Sequence, residues 1–267
     1  HAVPGDELWT NMRKFRQMLL IGTPDDAVVA QALDKADDED PTAPRIVQVN
    51  DVWARNQLVT ILVVEEGNET AGVAARLEQL RALYDDQYRQ WARQKMYVSG
   101  VDTALADTLR NTFGFEMTVP VVYDWSARDD SVVVFRNDNP DPAELIRQIT
   151  VTWTSPIPAV EEMQGDDLLA WRARLAEEEY AYAQAVNLTN RIAGPKQLGD
   201  QLLYEIQAAW ANPPDSDWPA GGPFILRGIP CTDQDRFYLV DAWLYAPGKE
   251  KYEYMIQLQT ILDTFRC

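Results

Sequence analysis

The sequence predicts an α+β fold in which antiparallel sheets are covered by long helices, arranged as two tandem ferredoxin-like halves, 1–140 and 141–267, packed as one globular unit. Three observations predict it. Short β-branched runs alternate with polar residues, as half-buried antiparallel strands do. Separate stretches repeat apolar residues every three or four positions, as amphipathic helices do. The order of these elements, β-α-β-β-α-β and then β-α-β-β-α, is that of the split βαβ unit written twice.

In the first half, 17–22 (QMLLIG) reads as a strand ended by Gly22, and Pro24-Asp25-Asp26 opens a helix over 27–33. Residues 46–53 and 58–64 read as two antiparallel strands. Val73, Leu77, Leu80, Tyr84, Tyr88 and Trp91 lie on one stripe of a long helix. A shorter helix over 103–111 follows. Residues 115–123 read as a strand, with Pro120 marking an edge or bulge, paired with 131–135 across Arg128-Asp129-Asp130.

In the second half, Ile149, Val151 and Trp153 alternate with threonine as a strand, and a helix is expected over 166–186. Residues 187–200 read as a linker and 201–210 as a short helix. The turn-rich segment 211–222 belongs on the surface. Residues 223–229 and 236–246 then read as a hairpin. Tyr252, Met255, Leu258, Leu262 and Phe265 mark a closing helix over 249–265.

Composition limits the function. The chain has 267 residues, 42 Asp and Glu against 24 Lys and Arg, and a formal charge of -18. Phosphate-backbone recognition needs clustered cations, so no nucleic-acid partner is expected. The acidic run Asp37-Asp38-Glu39-Asp40 reads as a solvated loop; with Asp34 it lacks the glycine and terminal glutamate of a calcium loop. The single histidine, His1, leaves neither a nucleophile's base nor a zinc set. Gly221-Gly222-Pro223 leads into a strand without the spacing of a phosphate cradle. No cofactor is therefore expected, and the balance leans away from an enzyme. Two cysteines, Cys231 and Cys267, either form two separate thiols, the preferred reading, or close a loop of about 37 residues by a disulfide, an addition of about 3–4 kcal/mol in an oxidising compartment.

Paired carboxylates remain, because glycoside chemistry needs only two of them and aromatic platforms for the sugar. Asp51-Val52-Trp53 and Asp241-Ala242-Trp243 would each set a carboxylate beside an indole on one face of a strand. The plainer and preferred reading is a buried Trp anchoring a sheet, with the Asp capping a loop or pairing with Arg55 or Arg236. Asp124-Trp125 and Asp217-Trp218, expected in loops, are weaker candidates.

Three segments, 16–23 (RQMLLIGT) with its Pro-Asp, 51–57 (DVWARNQ), and 221–224 (GGPF) through 243–249 (WLYAPGK) and 257–262 (QLQTIL), resemble the domain of unknown function 4837, a family of envelope lipoproteins of Bacteroidota. Gln17-Met18 stands where Asn-Ile is usual in that family. The resemblance implies a lipoprotein signal and a lipidated cysteine upstream of His1, and hence a cell-envelope location on a lipid tether as the only link to a membrane. It implies no activity and no catalytic residues. The function expected is a non-enzymatic domain that binds another envelope protein or serves as an accessory subunit. The alternative is a glycan-binding protein or glycan-acting enzyme using Asp51, Trp53, Asp241 and Trp243. Self-association through exposed sheet edges is a third expectation.

Overall fold

The short run Gln17–Gly22 (β1) lies parallel to Leu58–Val63 (β3), which also pairs antiparallel with Arg45–Asn50 (β2), giving the sheet order β1-β3-β2. These strands belong to one of two compact units, His1–Tyr88 and Arg89–Cys267. The computed structural model describes residues 6–36, 40–128, 131–141, 143–216 and 219–267. His1, the acidic residues 37–39, the turn residues 129–130, and Asp217 with Trp218 lie outside the described residues.

The first unit opens with the helix Asp6–Met12 (α1). Ala27–Asp34 (α2) then packs Val29, Ala32 and Leu33 against Val59, Ile61 and Val63 on one face of β3. Leu62 and Val64, pointing the other way, meet Leu80 of the long helix Glu69–Met96 (α3). Two-residue alternation on β3 thus produces two apolar faces, each closed by one helix.

In the second unit, Thr103–Thr108 (α4) is capped by Asp102, whose carboxylate accepts from the Leu105 N–H, and continues as a π-helical turn over Leu109–Phe113. One antiparallel sheet follows. Its strands are Asp124–Arg128 (β4), Val132–Asn137 (β5), Ile146–Thr154 (β6), Ala185–Leu198 (β7), Gln201–Ala211 (β8), Gly221–Cys231 (β9) and Arg236–Tyr245 (β10), in the order β4-β5-β6-β10-β9-β8-β7. Central β10 decides which side chains face which layer. Tyr238, Val240, Ala242 and Leu244 join the core with Leu258, Ile261 and Leu262 of the last helix, Tyr252–Leu262 (α6). Phe237, Leu239 and Trp243 face the core with Leu168, Leu169 and Leu175 of Gly165–Glu179 (α5). Gly228 of β9 allows this second layer to close. A Cβ there would lie 2.6 Å from Phe237 and 3.0 Å from Leu168.

The fold is α+β with antiparallel sheets, but it does not reproduce two ferredoxin-like halves. A division after residue 140 would fall between β5 and β6, which are hydrogen-bonded neighbours. Most of the difference lies in 185–211. The helix expected over 166–186 stops at Glu179, the expected linker 187–200 is β7 as far as Leu198 and then a turn, and the expected helix 201–210 lies in β8. Gln, Leu, Glu and Ala in β8 favour helix locally, but pairing with β7 and β9 overrides that weak preference. Residues 115–123 form only isolated bridges, Glu116 with Arg266 and Val101 with Pro120; β5 instead pairs with β4, which carries Asp124 and Trp125.

Candidate functional site

Asp241 and Trp243 stand two residues apart on β10 and share the face covered by α5. Asp241 is fully buried. Its Oδ1 accepts from Arg172 Nε at 3.0 Å and its Oδ2 from the Tyr180 hydroxyl at 2.6 Å. Arg172, also fully buried, donates from Nη2 to Gln184 Oε1 at 2.6 Å and stacks 3.9 Å from the Phe224 ring centroid. Burial, reinforced by the adjacent Asp241 charge, pushes the Tyr180 phenol well above its ordinary value, so it stays a neutral donor. A carboxylate held this way is a structural anchor, closed to solvent and substrate alike.

Asp51 and Trp53 belong to the other unit, and they lie in the loop after β2 rather than on a strand. Asp51 is exposed and adopts a left-handed conformation, φ 57°. Its N–H donates to Gln57 O at 2.8 Å, and its Oδ1 accepts from Gln57 N at 3.3 Å. Trp53 donates from Nε1 to Gln31 Oε1 at 2.7 Å and meets Trp9 edge-on at 5.3 Å between ring centroids. Asp51 therefore closes a turn, and Trp53 packs. Neither pairs with Arg55 in these bonds. Each carboxylate–indole pair is committed to the structure of its own unit.

A buried ion-pair network of the second unit escapes the sequence reading. Arg227, fully buried on β9, donates to Glu205 of β8 at 2.7 Å and to Asp263 at 2.6 Å, and Lys196 of β7 reaches Glu205 at 2.8 Å. Burial pushes the Glu205 carboxyl up, but Arg227, Lys196 and Gln207 outweigh it and hold it below its ordinary value. Among the described residues no group of three or more His, Cys, Asp or Glu is placed to hold a metal, and no helix is long and apolar enough to cross a membrane. Cys231 and Cys267 are joined by a disulfide, in place of the two separate thiols preferred from the sequence.

Among the cavities formed by the described residues, two bear on the site. One, of about 270 Å³, is lined by Ile146, Tyr182, Trp210, Trp243, Ala220 and Tyr245 on the α5 side. Trp210 meets Trp243 edge-on at 5.5 Å and donates from Nε1 to Leu244 O at 3.2 Å, whereas the buried Trp243 Nε1 has no partner among the described residues. The other, of about 400 Å³, lies between β7–β9 and α6, with Ile192, Gln207, Ile225, Tyr252, Met255 and Ile256 in its wall. Beside it β7 bulges: five steps from Asn187 to Ile192 are set against two on β8, from Ala209 to Gln207. β7 is the sheet's last strand, paired among the described residues with β8 alone, and exposes Leu188 and Ile192.

The family model described as Domain of unknown function (DUF4837) matches residues 102–264, a span from the N-cap of α4 to just beyond α6. The chain belongs to this family. The DUF4837 match contains Asp241, Trp243, β7 and the lining of both cavities except Arg89, and leaves the segments 16–23 and 51–57 outside it. No curated protein matches the sequence. Among solved structures, the Ran-binding protein Mog1p of Saccharomyces cerevisiae is 14% identical with a TM-score of 0.37, covering 58% of this chain and 90% of that one. Human STARD10 is 12% identical with a TM-score of 0.27, covering 60% and 74%, and the human StarD13 (DLC2) lipid transfer and protein localization domain is 8% identical with a TM-score of 0.24, covering 53% and 85%. These scores carry no argument about this DUF4837 protein's function.

Proposed function

We propose that this chain is a non-enzymatic binding domain of a cell-envelope lipoprotein, an accessory subunit that holds an extended segment of another envelope protein along the free edge of β7. The observation that carries the reading is the juxtaposition of that 14-residue edge with the 400 Å³ cavity at its bulge. Strand addition draws affinity from main-chain hydrogen bonds and specificity from pockets for side chains. Here the edge supplies backbone groups and Ile192, Met255 and Ile256 offer an apolar side-chain pocket. A second copy is the poorer occupant, because two molecules of formal charge -18 repel.

Two further observations support the reading. The Asp241 carboxylate, on which a glycan-acting enzyme would depend, is neutralised by Arg172 in the interior. The Cys231–Cys267 disulfide suits an oxidising compartment outside the cytoplasm, as does the lipid tether implied by the family resemblance.

The test is purification of the full-length lipidated protein in mild detergent from its native envelope, beside an Ile192→Glu variant. A stoichiometric envelope protein that co-elutes with the wild type and is lost from the equally folded variant is expected. A solitary wild-type protein, a partner retained by the variant, or a dimer by light scattering at micromolar concentration would overturn the reading.

A further inference from the structure

The second unit carries an apolar surface that belongs neither to its core nor to the two cavities. Val98 is 84% exposed, the most exposed large apolar side chain among the described residues, and Val101, Val121 and Val122 are exposed with it. The backbone brings the four together. The chain leaves α3 in a turn at 97–100, closed by the Gly100 N–H donating to Tyr97 O at 2.9 Å, and Gly100 takes φ 99°, a conformation that favours glycine. A second turn at 120–123 is closed by the Tyr123 N–H donating to Pro120 O at 3.0 Å. The Val121 N–H donates to Gly100 O at 3.2 Å, Val101 bridges Pro120, and the Tyr97 hydroxyl donates to Thr118 O at 3.1 Å, so the two turns are tied side by side. The exposure of the valines is therefore built into a hydrogen-bonded backbone.

We propose that these two turns are a membrane-docking surface, whose valines enter the acyl boundary of a zwitterionic phospholipid bilayer. Shape, residue type and charge favour lipid over a protein partner. None of the four valines lines either cavity, so they frame no pocket there for a partner's side chain. Valine is under-represented among the residues that anchor protein interfaces, where Trp, Tyr and Arg concentrate. Insertion into a bilayer scales with apolar area and needs no matching pocket. The flanks suit the headgroup layer. The last turns of α3 carry exposed Trp91, Arg93 and Lys95, with the Lys95 ammonium, which also reaches Glu253 at 2.8 Å, 4.7 Å from the Trp91 ring centroid. From Gln87 to Val101 the chain has three cations and no acid, and Asp102, the next acid, is turned to the Leu105 N–H as the cap of α4. Indoles and long-stemmed cations settle at headgroup level. The bilayer is a neutral one, because a chain of formal charge -18 is repelled by anionic headgroups. The surface uses no residue of β7 and stands whether or not a partner strand binds there.

The experiment mixes the whole chain, without lipid attached, with phosphatidylcholine vesicles and reads binding by co-sedimentation at millimolar lipid. The wild type is expected to sediment with the vesicles. Val98→Asp and Val122→Asp should each weaken binding about tenfold, the worth of removing one valine side chain from an apolar medium. Their urea midpoints should match the wild type, because both positions are exposed. Ile192→Glu, on β7, should bind as the wild type does. Replacing part of the phosphatidylcholine by phosphatidylglycerol should weaken binding at low salt. Wild type left in the supernatant, both Asp variants bound as tightly as the wild type, or tighter binding to the phosphatidylglycerol vesicles would overturn the proposal. So would a wild-type dimer in lipid-free solution that Val98→Asp separates, which would assign the valines to a second copy.

Discussion

Arg172 of α5 and Asp241 of β10, 69 residues apart, meet as an ion pair with neither side chain exposed. Removing one partner leaves the other charge buried and unpaired, which costs about 3–5 kcal/mol. Asp241→Asn should therefore lower unfolding stability by that amount in a urea titration. Replacing the pair together, Arg172→Met with Asp241→Leu, should restore much of the loss, because well-packed apolar side chains can substitute for a buried pair. Tyr180→Phe should cost about 1.5–3 kcal/mol through the lost hydrogen bond to the carboxylate.

Glu205 contributes to the acid limb. Its folded-state value lies below the ordinary 4.5, so its contribution to stability is complete above that value and is lost as the pH falls below it, through the lower folded-state value. Glu205→Gln should flatten the fall in melting temperature below about pH 4.5. Tyr180 works in the opposite direction at the alkaline end. Raised well above the ordinary 10, it contributes fully below that pH and loses its contribution as the pH rises beyond it.

The disulfide links Cys231 at the end of β9 to Cys267, just beyond α6, across 36 residues. Chain-entropy arguments give such a link about 3–4 kcal/mol. Reduction, or Cys267→Ser, should lower the melting temperature while leaving far-ultraviolet circular dichroism largely unchanged under native conditions.

Ile192→Glu should change stability by no more than about 0.5 kcal/mol, because Ile192 is 70% exposed on β7. Equal urea midpoints for the variant and wild type would show that a lost partner reflects a lost surface and not a lost fold.

Much of the local structure is legible in the sequence. The strand 17–22 agrees residue for residue with β1, because Gly22 and Pro24 end it, and the hairpin of β9 and β10 follows from two apolar runs around a polar turn. β7 and β8 are not legible, because an edge strand containing Gly194 and Pro195 reads as a linker, and β8 has helix-forming residues. The shared face of Asp241 and Trp243 follows from spacing, but the partner of Asp241 does not. A signal was present: Arg172 lies four residues after Leu168 and three before Leu175, on the buried stripe of α5, where a charge requires a countercharge. Which carboxylate supplies it depends on the sheet order, which no local pattern encodes.

The most direct test of the central claim is hydrogen–deuterium exchange of the β7 amides in the isolated chain and in the protein as it stands in its native envelope complex. If a partner strand lies along β7, amides of Asn187 to Leu198 that exchange rapidly in the isolated chain become slow in the complex, while those of β4, at the sheet's other edge, are unchanged. Equal exchange along β7 in the two states would contradict the account.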